Sequence, residues 1–71
     1  MKVWVLEQFG ADGYRHVIQV FASAEGVIAY LELVGELSIA RGVSNGQKQI
    51  TIKPENYPNT SYRATEFEVK S

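Results

Sequence analysis

The chain has 71 residues, 45% of them hydrophobic, and seven Lys/Arg against eight Asp/Glu give a net charge of −1. A chain of this length holds one core, and this composition argues against a disordered chain. The charge balance offers no field to attract a polyanion or an anionic membrane, and the absence of cysteine removes disulfides and thiolate chemistry.

The first apolar run is "VWVL" at residues 3–6, where β-branched, aromatic and aliphatic side chains predict a strand. Asp12-Gly13 marks a turn, since Gly supplies a positive φ and Asp tolerates one. "RHVIQVF" at residues 15–21 predicts the second strand of a hairpin. The opening "MKVWVLEQ" has only four apolar residues in a row, too few for a secretory signal, and no run is long enough to span a bilayer. The expectation is a soluble cytoplasmic protein with no membrane contact.

"SAEGVIAYLELVGEL" at residues 23–37 predicts a helix, with Ser23 as N-cap and Glu25 in the first turn. At 100° per residue its apolar arc spans roughly 220°, about twice what a surface helix needs. Ser38 and Arg41 fall on the apolar side and break the pattern, which places the helix end between Leu37 and Arg41, with Gly42 as the residue that stops it. Asn45-Gly46 is a further turn signal. "QKQITIK" predicts a third strand, "PENYPNTS" a surface loop, and "YRATEFEV" a fourth strand with a bulge near Ala64. The order is β-β-α-β-β: an α+β domain with a four-stranded antiparallel sheet and one helix on one face.

A helix on one face leaves the other to solvent, so the second face should be polar in every strand. It is not. Val3 and Val5 oppose Trp4 and Leu6, and Val17 and Phe21 oppose Ile18 and Val20. Either the "PENYPNTS" loop folds over the second face or another protein covers it.

Residues that could carry chemistry are few. His16 is the only histidine, and with a single Asp in the chain it builds neither a zinc site nor a catalytic triad. Glu66 and Glu68 share a strand face beside Lys70, and Glu25, Glu32 and Glu36 form an acidic stripe; both read as solvated surface. "GADG" and "GVSNG" lack the Lys-Ser/Thr ending of a phosphate loop, and Asn59-Thr60-Ser61 fits the glycosylation pattern only by its letters. Lys48, Lys53 and Arg63 near Tyr57 and Tyr62 form the alternative, a nucleic-acid surface on the C-terminal hairpin. The sequence pI near 5.7 opposes that reading. A pocket lined by Tyr30 and Tyr14 is a third option, for a small ligand.

With "KVWVLEQ", "VFASAEGVIAYLE" and "TEFEVK" in this order, the chain resembles a group of small uncharacterised phage and bacterial proteins, of the domain-of-unknown-function type, whose opening strand runs K-V-(W/Y)-V-L-E. Gln8 stands where that pattern has His, and the Gly-containing helix departs from its charged, Ala-rich one. The group has no assigned activity, so the resemblance implies the fold and a phage or prokaryotic setting, without a mechanism. The expectation from all these readings is a non-enzymatic interaction protein without cofactor. It would pair with itself as a C2 homodimer and/or bind a host protein. Trp4, Leu6, Ile18 and Val20, or their neighbours of opposite parity, would form the buried centre. Tyr30, Leu33 and Leu37 of the helix would add to it, with Tyr57 and Tyr62 as aromatic anchors.

Overall fold

Ser23 starts the helix as expected: its backbone is extended at φ −149°, and its Oγ accepts a hydrogen bond from the Gly26 amide at 3.1 Å. The end comes earlier than the apolar arc suggests. In the computed structural model, which describes residues 1–70, α1 covers Ala24–Leu31 and a single 3₁₀ turn follows at Glu32–Val34. Gly35 then reverses the chain at φ 120°, ψ −157°, a conformation open only to glycine. A Cβ there would also sit 2.7 Å from the Asn56 amide nitrogen.

Residues 37–44, expected to hold the end of the helix and its cap, are instead a strand. The elements are β1 (Lys2–Phe9), β2 (Arg15–Phe21), α1, β3 (Leu37–Ser44), β4 (Gln47–Pro54) and β5 (Ser61–Glu68). The four-stranded β-β-α-β-β sheet is therefore corrected to one five-stranded sheet, in the order β2-β1-β5-β4-β3. All its pairings are antiparallel. The physical reason lies in "LSIARGVS", where Leu37, Ile39, Arg41 and Val43 alternate with small residues at the period of a strand. Asn45 (φ 53°) and Gly46 (φ 79°) form the two-residue turn that joins β3 to β4. Gly42 is a mid-strand residue opposite Gln49, with no capping role.

The core lies between α1 and one sheet face. Trp4, Leu6, Val27, Leu31, Ile50, Ile52 and Ala64 are buried, with Phe21, Ala24, Leu37 and Tyr62 packed around them. Each fully buried aliphatic side chain contributes about 1.5–3 kcal/mol, so a core this small depends on every member. The expected bulge at Ala64 is absent, since β1 and β5 pair without a break from Lys2↔Glu68 to Phe9↔Ser61.

The irregularity lies in β2. Leu6 pairs with Gln19 and Glu7 with Val17, which leaves Ile18 as the extra residue. That insertion resets the side-chain parity of the hairpin. Val20 stands opposite Val5 and Val17 opposite Glu7, both on the face away from α1, while Phe21 stands opposite Trp4 on the helix side.

Candidate protein-interaction surface

On the side away from the helix, β1 presents Val3, Val5, Glu7 and Phe9, each half-buried by its neighbours on the sheet. Val5 and Val20 are cross-strand partners, as are Val3 and Phe67. Val17, Val20 and Phe67 are 63%, 52% and 41% exposed. These residues form an apolar band across β2, β1 and β5. One charged row crosses it. Glu7 accepts the Arg15 guanidinium at 3.2 Å, and Arg63 lies 5.1 Å from the centre of the Phe9 ring. Towards β4 and β3 the same face becomes polar and then small, with Thr65, Gln49 and Gly42 in one row and Arg63, Thr51 and Ala40 in the next.

The "PENYPNTS" loop does not cover this face. It folds on two turns, with the Tyr57 amide donating to Pro54 and the Thr60 amide to Tyr57, and the Glu55 amide ties it to the Glu36 carbonyl. Asn56 sits against Gly35, and Tyr57 lies near Tyr62, a helix-side residue of β5. Partial burial, reinforced by the neighbouring Tyr30 and Tyr57 phenols, holds the Tyr62 hydroxyl above the ordinary tyrosine range.

The nine residues expected at an interface do not form one surface. Trp4 and Leu6, at 8% and 0% exposure, are core residues under the helix, and their expected place at an exposed centre is corrected to their neighbours Val3 and Val5. Ile18 and Val20, assigned to the same face by simple alternation, are separated by the bulge. Ile18 turns to the helix side, where it lines a cleft of about 300 Å³ with Gln8, Tyr30, Leu33 and Tyr62 among others. Tyr30 packs its ring 5.5 Å from Phe21. Leu33, beyond the helix end, is almost fully exposed, Leu37 opens β3 against the core, and Tyr57 is exposed on its loop. The open band of Val3, Val5 and Val17 is the opposite-parity alternative that the sequence offers, and Phe67 of β5 is the member that it does not. The signal of the band was the second apolar parity of the hairpin, read without the bulge that defines it.

The other candidates are dispersed. Tyr14 lies on the hairpin loop with its ring 4.5 Å from that of His16, and it does not line the cleft beside Tyr30. Glu66 meets Lys2 at 3.8 Å, and Glu68 meets the N-terminal amine at 3.5 Å. Alternation places Lys53 and Arg63 on the open face but Lys48 and Tyr62 on the helix side, so the sheet itself divides the residues of a nucleic-acid surface. Among the described residues, no three His, Asp or Glu side chains are placed to share a metal ion, and no helix is long and apolar enough to cross a membrane. No protein-family model matches the chain, and no curated protein or solved structure matches it.

Proposed function

We propose that this chain is a non-enzymatic protein-interaction module that offers the open face of its sheet to another protein. The observation behind this reading is the apolar band of Val3, Val5, Val17, Val20 and Phe67, over which no element of the fold lies. Continuous apolar surface of this kind is a common mark of a binding face. Branched and aromatic side chains make up most of the band, and the Glu7–Arg15 pair with Arg63 supplies the charged row that crosses it. The phage or prokaryotic setting and a host protein as the target rest on the resemblance of the opening strand.

The test is a photo-crosslinking amino acid placed at Val20, on the band, and separately at Ala29, on the outer side of α1, in chains expressed in bacterial cells. Discrete adducts are expected from position 20 alone, and Phe67→Lys should remove them. Adducts of equal strength from both positions, or none from position 20, would discard the open face as a binding surface.

A further inference from the structure

The two edges of the sheet differ in a way that points to a second copy of this chain. The β2 edge is blunted by the Ile18 bulge and carries one charge, Arg15. Bulges are a usual protection of an edge strand. β3 has none. It runs through eight residues in unbroken register with β4, is exposed along almost its whole length, and carries one charge, Arg41.

The hairpin geometry decides which groups of that edge are unpaired. A two-residue turn at Asn45-Gly46 makes Ser44 and Gln47 a hydrogen-bonded pair, so bonding to β4 falls on alternate residues from Ser44 back to Ser38. The far end agrees: the Glu55 amide donates to Glu36, which has the same parity, at 2.9 Å. The main-chain N–H and C=O groups of Leu37, Ile39, Arg41 and Val43 therefore point away from the sheet.

We infer that β3 pairs antiparallel with β3 of a second copy about a two-fold axis through Ala40, so that the two five-stranded sheets become one. A two-fold axis perpendicular to the sheet keeps the helices of both copies on the same side, which requires residues of equal parity to face each other. Centred on Ala40, the register sets Leu37 opposite Val43 and Ile39 opposite Arg41. All four outward residues then bond, giving about eight main-chain hydrogen bonds. The registers centred on Ile39 or Arg41 give about six. The one centred on Arg41 also sets that cation against its own copy, which is unfavourable directly across a strand pair. At the axis the Ala40 residues form a non-hydrogen-bonded pair, the closest kind, with Cα atoms about 4.5 Å apart. On the open face the residues brought together are Ala40 with Ala40 and Ser38 with Gly42, all small enough for that approach. This pairing uses the sheet edge and stands whether or not the open face takes a partner.

The chain has no cysteine, so single substitutions can read the register directly. Ser38, Ile39, Ala40, Arg41 and Gly42 are each replaced by Cys, and the variants are oxidised in air and resolved on a non-reducing gel. Ala40→Cys is expected to crosslink to near completion, because about 4.5 Å between Cα atoms suits a disulfide, and the other four much less. A maximum at position 39 or 41, or no preference among the five, overturns the inference.

The unsubstituted chain should sediment at twice 7.9 kDa. Arg41→Pro removes an outward N–H that the β3–β4 ladder does not use, and it should sediment as a monomer with an unchanged circular dichroism spectrum. Ala40→Glu, which sets two carboxylates face to face at the axis, should do the same without altering the backbone. A dimer that survives Ala40→Glu, or a monomeric parent at sub-millimolar concentration, overturns the pairing, including the case where a foreign strand occupies the edge.

Discussion

On β1, Trp4 and Leu6 lie beneath the helix, while Val3 and Val5, one residue away, face a surface that no element among the described residues covers. The two sides of this strand are made of the same kind of side chain, so hydrophobicity alone does not separate core from surface here. The separating factor is supply. The fold has one eight-residue helix, about 12 Å long. The sheet it must cover has five strands and is about 19 Å across. That helix is spent on the side of Leu6, Ile50 and Ile52. Apolar residues on the other side stay open, because the helix has no length left to reach them.

The contrast is most easily broken by matched truncations on the two sides. Leu6→Ala should cost about 2–5 kcal/mol, since it empties a fully buried site. Val20→Ala should stay within about 0.5 kcal/mol in the isolated chain. Urea unfolding of both at one protein concentration is the measurement, and equal losses would mean that both sides are already packed. A smaller effect sharpens the role of the helix as sole cover. Ser23→Ala removes the cap that accepts the Gly26 amide, and should cost about 1 kcal/mol by the same urea assay.

The smallest effect is a slope. The folded chain holds the Tyr62 proton more tightly than the unfolded chain, whose phenol titrates near 10.0. This contribution is complete below that pH and is lost as pH rises through the higher folded value. Stability measured between about pH 9 and pH 11 should fall more steeply for the parent than for Tyr62→Phe. Parallel curves would remove the burial of that phenol as a cause.

Much of this was legible in the residues. The first hairpin, the Ser23 cap, β4, β5 and the loop between them follow from branched runs, turn pairs and prolines. So does the surplus of apolar surface on the hairpin. The strand β3 was hidden because Leu33 and Leu37 extend the helical arc by three- and four-residue steps, so one apolar pattern runs on into the next element. The clues were the misfit of Ser38 and Arg41 and the glycine at position 35, which only the left-handed turn explains. The Ile18 bulge leaves no such trace. Val17, Ile18, Val20 and Phe21 are apolar at both parities, so inserting one residue among them changes which side each takes without disturbing any pattern. Which side the helix would choose was equally silent, because Trp4 and Val5 satisfy it alike by composition.

The pairing of β1 with β5 along their full length joins the earliest and the latest segments of the chain at the centre of the sheet. During synthesis, the β1–β2 hairpin leaves the ribosome without its inner neighbour β5 in place. That strand arrives only when residues 61–68 emerge, and closing a loop of that span makes folding slow compared with a helical bundle of equal size. For that interval the inner rim of β1 keeps its main-chain groups unpaired, an open template for any other strand nearby.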